Sequence, residues 1–390
     1  MIKGRAWLDP ADWRGLIVLC SGTSWDGAYL SDKHLALRLS RYAPVLFVDP
    51  PMSVLTPLRR PGLRSKVFAP RLSRLGPRLA RLTPFSLPGV SRPVLRDVAI
   101  RATRAALRRT VRDMGCTPKA VIVGSLDDLF GACGESVRLL WGTDDFTAAG
   151  RLMNISTGWL ERRERDQLAK ADVVVSVSEH LAQRWRGLGQ DVTVIPNGCD
   201  TEMYADTDNA PLPTDVRLPE PIAGFIGHLS ERIDPSYLEA FAATGRSLLM
   251  VGPRQSTFEL TRIEALLARP NVQWVGPKRF ESLPSYLRVM RAGLTPYARS
   301  PFNESSFPLK TLEYLAAGRA AISTDLPSAR WLNSDLVTIC STPDEFARRT
   351  VRALDEPQSA VRRTERRAFA QAHSWDARTR DFALLLGLVD

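Results

Sequence analysis

Short aliphatic and β-branched runs recur along the chain, separated by stretches in which apolar positions fall at helical spacing. In the first half the runs lie at 16–19, 45–48, 120–123, 137–140, 173–177 and 192–195. In the second half they lie at 222–226, 247–251, 272–275, 292–295 and 320–323. Runs of this length without polar alternation suit strands buried on both faces. Strands alternating with helices predict parallel sheets covered on both sides, and two such series predict two doubly wound α/β domains. Residues 201–220, with Asp206-Thr207-Asp208-Asn209-Ala210-Pro211-Leu212-Pro213 and Pro219-Glu220-Pro221, are polar and proline-rich and read as the linker between them. The expected division is 1–200, linker 201–220, 221–372 and a closing helical segment 373–390. In that segment charges alternate with Phe382, Leu384, Leu385, Leu386 and Leu388. Two such domains on one linker leave a cleft between the carboxyl ends of their sheets, where ligands of these folds bind.

Composition narrows the class. The 390 residues are 44% apolar and 24% charged, which excludes a disordered, collagenous or coiled-coil chain. No apolar run approaches the ~18 residues of a membrane span, and the first residues carry no hydrophobic leader. A cytoplasmic protein is expected. Five scattered cysteines with no CxxC spacing suggest reduced thiols rather than a disulfide framework or a zinc site.

The net charge of +11 is local. Fifteen Lys and Arg lie between Arg59 and Arg112 against one acid, Asp97, so the remaining chain nets −3. Leu58, Leu63, Val67, Phe68, Leu72, Leu75, Leu79, Leu82, Phe85 and Leu87 are interleaved with these cations. Pro61, Pro70, Pro77, Pro84, Pro88 and Pro93 break any helix there into short pieces. Short basic amphipathic pieces suit an anionic membrane surface, at roughly 1 kcal/mol per basic residue. A solvated basic face is the plainer alternative. No zinc-finger or RNA-binding signature is present, and no nucleic-acid partner is expected.

The most informative stretch is Ser305-Ser306-Phe307-Pro308-Leu309-Lys310-Thr311-Leu312-Glu313-Tyr314-Leu315-Ala316-Ala317-Gly318. Serines and a proline mark a helix start, and Gly318 marks its stop. Lys310 near the helix start opposes the macrodipole unless an anion sits on the helix end. Glu313 lies one turn on, on the same face, where a carboxylate can accept both hydroxyls of a ribose. A solvated Lys–Glu pair is the alternative reading.

With three further stretches this segment forms an ordered set. Phe307–Gly318 resembles the signature helix of family-4-type GT-B glycosyltransferases. Val194-Ile195-Pro196-Asn197-Gly198-Cys199-Asp200 resembles the exit from that family's N-terminal domain. Gly224-Phe225-Ile226-Gly227-His228-Leu229 resembles the first strand and glycine turn of its C-terminal domain. His373-Ser374-Trp375-Asp376 resembles the tryptophan-marked helix that crosses back to the first domain. Within that group the chain looks most similar to glycosyltransferases of teichuronic-acid type, and it shares pieces with the xanthan glucuronosyltransferase pattern. The resemblance implies a GT-B fold: two Rossmann-like doubly wound parallel-sheet domains facing across a cleft, acceptor in the first and nucleotide-sugar in the second. It places Lys310, the backbone at Leu309, Arg232 and Gly227 on the donor diphosphate, Glu313 on the ribose, and Gly276 and Lys278 of Gly276-Pro277-Lys278-Arg279-Phe280 on the nucleobase.

The chain departs from the family at two points. The family's motif has seven residues between its two glutamates; counted back from Glu313 that spacing falls on Ser305, with Glu304 one residue early. The cations expected after the glycine turn are His228 and Ile233, leaving Arg232 nearby.

On the acceptor side, Trp141-Gly142-Thr143-Asp144-Asp145-Phe146 follows a strand, so both aspartates reach a carboxyl end. Position 145 aligns with the general base of the glucuronosyltransferases, and an acceptor hydroxyl must lose a proton as it attacks. An acidic helix cap is the alternative. Residues 21–27, with Lys33 and His34 beyond them, read as acceptor-side, His34 as a further catalytic candidate. Asp206 and Asp208 mimic a metal-binding DxD but lie in the expected linker; no metal and no cofactor beyond the donor are expected.

The reading is a metal-independent glycosyltransferase on the inner face of the cell membrane. It moves a sugar from a nucleoside diphosphate, uridine favoured, to a lipid-linked or polysaccharide acceptor of the cell envelope. An epimerase or hydrolase of the same fold, or a non-catalytic membrane- or polyanion-binding module, are the alternatives. Asp145 favours inversion and the family-4 resemblance favours retention.

Overall fold

The computed structural model describes residues 9–27, 29–53, 71–86, 93–125, 127–150, 155–307, 309–357 and 359–390. The chain forms two compact units, Met1–Ile195 with Thr379–Asp390, and Pro196–Arg378.

The first unit is built on β1 (Ile17–Cys20), β2 (Val45–Val48), β3 (Met52–Ser53), β4 (Leu72–Gly76), β5 (Leu79–Leu82), β6 (Phe85–Ser86), β7 (Ala120–Val123), β8 (Val137–Gly142), β9 (Val173–Ser176) and β10 (Thr193–Val194). Eight strands make one sheet in the order β10-β9-β8-β7-β1-β2-β5-β4, and β3 pairs with β6. All neighbours in the large sheet are parallel except β4 and β5. β1 sits between β2 and β7, with Ile17 opposite both Val45 and Ala120. All three strands are buried throughout, which is why they read as unbroken apolar runs.

Part of the basic segment folds otherwise than expected. Residues 54–70 and 87–92 lie outside the described residues. Within 71–86 the structure shows the β4–β5 hairpin, not short helical pieces. Leu72, Leu79 and Leu82 are buried while Arg74 is exposed. Pro93 opens the 21-residue helix Pro93–Asp113 instead of breaking one, as fits a proline at a first helical position.

The second unit carries β11 (Ile222–Ile226), β12 (Ser247–Val251), β13 (Val272–Trp274), β14 (Met290–Thr295), β15 (Ala320–Thr324) and β16 (Val337–Cys340). Their order is β13-β12-β11-β14-β15-β16, all parallel. The strand order reverses between β11 and β14, so the carboxyl ends of those two strands form the switch point at which such sheets bind ligands.

Residues 201–220, expected as a linker, lie within this unit. They form the helix Thr201–Tyr204 and a 3-10 turn, Thr207–Asn209, and Tyr204 is fully buried. Asp215 fastens the following stretch, accepting from Lys278 at 2.6 Å and from Tyr286 at 2.9 Å. The prolines and polar groups belong to a surface strap tied down by side chains. At the chain end, Trp375 is buried in the second unit, and Phe382 packs edge-on against Trp141 in the first.

Candidate functional site

The site of the second unit grows from the carboxyl ends of β11 and β14. Gly227 follows β11, and its N–H donates to the Val251 carbonyl at 2.9 Å; the Gly252 N–H donates in turn to Gly276. The turns after β11, β12 and β13 are thereby laced together. Gly252 has φ 138°, and a Cβ there would stand 1.9 Å from the Gly227 carbonyl oxygen, so only glycine allows this approach.

The expected helix is present as Leu309–Ala316, and Gly318 closes it at φ 76°. Ser305 does not lead into it directly. It belongs to a separate short helix, Pro301–Ser305, capped by Ser300. Within that helix Glu304 pairs outward with Arg299 at 3.2 Å while Ser305 is buried.

Tyr314 seats the Leu309–Ala316 helix on the sheet. Its ring lies over Gly293 of β14, where a Cβ would come within 2.1 Å of the ring. Its hydroxyl accepts the Ile226 N–H at 2.9 Å and donates to the Leu294 carbonyl at 3.2 Å. β11 and β14 stop pairing at Gly224 and Gly293, and this hydroxyl takes the backbone donor that the splaying strands release. From the sequence Tyr314 is assigned no role; the glycine opposite it in β14 is the only signal, and it lies 21 residues away.

Lys310 and Glu313 face each other, Nζ to Oε2, at 2.6 Å. Glu313 is 4% exposed and Lys310 half-buried. Burial pushes the Lys310 ammonium down, but the charge and hydrogen bond of Glu313 outweigh it and hold the group above the ordinary lysine value. The Tyr204 hydroxyl stands beside the same carboxylate; burial, then Glu313, pushes its pKa well up. Tyr204 lies in the stretch taken for a linker and was not foreseen.

Arg232 is brought to the short helix Pro301–Ser305 that precedes Leu309–Ala316. Its Nε donates to Asn303 Oδ1 at 3.1 Å, and its guanidinium lies 4.8 Å from the Phe302 ring and 5.5 Å from that of Tyr297. Asn303, 2% exposed, donates back to the carbonyls of Arg232 and Ala298. Tyr297 also lies in the electrostatic field of Lys310. His228 is exposed and Ile233 is core. Gly276 turns at φ 74°, but the Lys278 ammonium is spent on Asp215, whose hydrogen bond raises its pKa. Any nucleobase contact there falls to backbone groups. Cys199 and the His373–Trp375 motif, far apart in sequence, are joined by Cys199 N–H to His373 O at 2.9 Å and Trp375 N–H to Cys199 O at 3.0 Å.

In the first unit, the acceptor-side candidates share the carboxyl edge of one sheet. Asp145 follows β8 and is 4% exposed. Its Oδ1 accepts from Thr147 Oγ1 at 2.6 Å, from the Ala148 N–H at 2.9 Å and from Arg184 at 3.3 Å. Arg184 also grips Glu164 through both Nη atoms. The capping alternative is thus realised in part, and Arg184 was not foreseen. Asp144 is half-buried beside it.

After β1, Asp32 gathers Ser21, Thr23 Oγ1 at 2.7 Å and its neighbour's N–H, fixing the loop 21–27. Asp49 does the same from β2, accepting from Trp25 N–H, Arg81 and Thr83. Lys33 lies 4.5 Å from the Tyr29 ring and 5.1 Å from that of Trp25. His34 is 2% exposed and packs edge-on to Tyr29. Its Nδ1 pairs with Arg38 at 3.2 Å; a guanidinium only donates, so Nδ1 is the acceptor and the ring proton sits on Nε2.

Among the described residues no group of three His, Cys, Asp or Glu side chains could hold a metal, and no helix is long and apolar enough to cross a membrane. Asp208 of the DxD look-alike pairs with Arg319 and Arg367, each at 2.7 Å.

Two family models match consecutive parts of the chain: Glycosyltransferase Family 4 over residues 53–203 and Glycosyl transferases group 1 over residues 220–356. TuaH of Bacillus subtilis (strain 168), assigned as a teichuronic acid biosynthesis glycosyltransferase, is 28% identical over 274 residues, 68% of each chain. Among solved structures, sucrose-phosphate synthase from Thermosynechococcus elongatus superposes with a TM-score of 0.71 at 18% identity, over 95% of this chain and 98% of that one. HepE of Anabaena, in complex with UDP and glucose, does so at 0.64 and 15% identity, over 96% and 99%. These structural likenesses concern the fold.

Proposed function

For this chain, a family-4-like GT-B glycosyltransferase, we propose that the donor is a nucleoside diphosphate sugar, uridine favoured, and that the acceptor is a lipid-linked or polysaccharide glycan of the cell envelope. The observation that carries the donor reading is the Lys310–Glu313 pair at the start of Leu309–Ala316, on the switch point of the second sheet. A diphosphate on that helix end takes over the Lys310 ammonium and the first-turn backbone N–H groups beyond Leu309, whose own N–H, expected on the diphosphate, donates to the Phe307 carbonyl at 2.9 Å. The ribose hydroxyls then take the Glu313 carboxylate that Lys310 held. Arg232 and the turn at Gly227 add to the diphosphate side, and the backbone at Gly276 to the base. The UDP in HepE and the name of TuaH support uridine and envelope glycan as the classes to test.

On the acceptor side, the carboxylates Asp145 and Asp144 are assigned to taking the proton of the attacking hydroxyl. His34 is buried against Tyr29 and Arg38 and is read as a positioning residue of that edge. Membrane contact is assigned to one face of the helix Pro93–Asp113, where Arg101, Arg108, Arg109 and Arg112 are exposed beside Val98, Ala102 and Ala105.

The experiment is release of nucleoside diphosphate from UDP-sugars by the full chain, with and without a lipid-linked glycan acceptor and with and without EDTA. The reading expects release that depends on acceptor and is indifferent to EDTA. Turnover without acceptor would favour the epimerase or hydrolase, and none under any condition would contradict the donor assignment.

A further inference from the structure

The amino-terminal edge of the second sheet carries a cavity that the donor site does not use. Glu220 precedes β11, Arg291 is the second residue of β14, and Arg319 immediately precedes β15. These residues, with Arg288, Arg363 and Asp208, line a space of about 600 Å³. It lies at the opposite end of β11, β14 and β15 from Gly227 and Lys310, about 12 Å away along the eight-residue helix Leu309–Ala316.

Positive charge there exceeds what the chain neutralises: Arg288, Arg291, Arg319 and Arg363 line it against two acids, Glu220 and Asp208. Asp208 is shared by three guanidinium groups: Arg319 and Arg367 at 2.7 Å and Arg363 at 3.7 Å. Arg291 and Arg288 donate to the carbonyls of Glu356 and Ala210, which carry no charge to set against theirs. The buried Nε atoms of Arg291, Arg366 and Arg367 meet no acceptor among the described residues. Burial lowers the pKa of Arg319, and the charges of Arg367 and Arg363 lower it further against the pull of Asp208. A cation suits the carboxyl end of the Leu309–Ala316 helix, which accounts for Arg319. It does not account for Arg288, Arg291 and Arg363.

We propose that this cavity binds a phosphate-bearing anion, with Arg288, Arg291 and Arg363 as its ligands and the Arg319–Asp208–Arg367 cluster as its floor. Guanidinium forks match phosphate oxygens in pairs, and the volume suits a group larger than a single phosphate. The ligand is either a free polyphosphate or the headgroup of an anionic phospholipid; the chemistry is the same. The site is separate from the donor reading and does not depend on it.

The test is calorimetric titration of inorganic pyrophosphate into the full chain carrying Lys310→Ala, which removes the principal cation of the donor helix. The expected result is one retained site whose Kd rises about tenfold or more when Arg291→Ala and Arg363→Ala are added. If that variant does not fold, Arg291→Lys with Arg363→Lys keeps the charge and loses the forks, and weaker binding in it carries the same conclusion. Co-sedimentation with phosphatidylcholine vesicles, with and without phosphatidylglycerol, separates the sources. Adsorption that needs phosphatidylglycerol, falls in the arginine variant and yields to pyrophosphate assigns a headgroup; adsorption unaffected by the variant assigns a free anion. Pyrophosphate affinity equal with and without Arg291 and Arg363 overturns the proposal.

Discussion

Replacing Tyr314 with Phe removes one oxygen and leaves the ring over Gly293. The Ile226 N–H, taken up at 2.9 Å by that oxygen, then has no acceptor where the strands have parted. A buried backbone donor left unpaired costs about 1–3 kcal/mol. In a unit of this size each kcal/mol moves the melting temperature by about 2–4 °C, so a drop of about 2–12 °C is expected. The hydroxyl also pins the middle of the helix that carries Lys310 and Glu313, so affinity for donor nucleotide should fall with it. Circular dichroism melts report the first effect. Hydrogen exchange at the Ile226 amide localises it, since that amide should exchange faster while those of β12 do not. A melt within about 1 °C of the parent, with unchanged exchange at Ile226, would refute the claim that this hydroxyl holds helix and sheet together.

Three further outcomes follow from the same geometry. Asp145→Asn keeps an oxygen for Thr147 and Ala148 but cannot accept a proton as a base, so turnover should fall by about 100-fold or more while donor affinity stays unchanged; loss of both, or of the fold, would make the residue a cap. His373 is lowered to about 4 by burial and by Arg378. Because its folded pKa lies below the unfolded one, the stability linked to it is complete above about pH 6.5 and lost as pH falls toward 4, by roughly 2–3 kcal/mol after allowing for its partial exposure. Urea titrations across that range should show the loss, and His373→Gln should flatten it; an equal slope in the variant would count against the assignment. Arg101→Glu with Arg108→Glu and Arg112→Glu should weaken adsorption to anionic vesicles by about tenfold or more, at roughly 1 kcal/mol per basic residue; adsorption equal to the parent's would move the contact elsewhere.

Much of the second unit could be read directly. β11, β12 and β15 are buried on both faces, so their apolar runs mark them without ambiguity. Lys310 and Glu313 were legible because a cation at a helix start and an acid one turn later are a local pattern. The hidden parts are those decided by distant partners. β4 and β5 carry one arginine each, with Arg71 before the hairpin and Arg78 in its turn, and the tertiary contacts of Arg81 with Asp26 and Asp49 neutralise the cation that β5 holds. The strap at 201–220 has the composition of a linker, but Asp215 and Asp208 find cations 63 and 111 residues away. β16 is not marked by an unbroken apolar run: Thr338 interrupts Val337–Cys340, and its two central residues are only half-buried. Tyr314, Asn303 and Arg184 act through atoms that no spacing rule connects.

The most direct measurement is thermal stability of the full chain with UDP, GDP, ADP and CMP, beside Glu313→Ala. A nucleotide at 100 times its Kd adds about 2.7 kcal/mol of stability, which is a readable shift. The account expects a shift with one nucleoside diphosphate, UDP, that disappears in Glu313→Ala. No shift with any of the four, or one that persists undiminished without Glu313, would contradict a donor site on the Leu309–Ala316 helix.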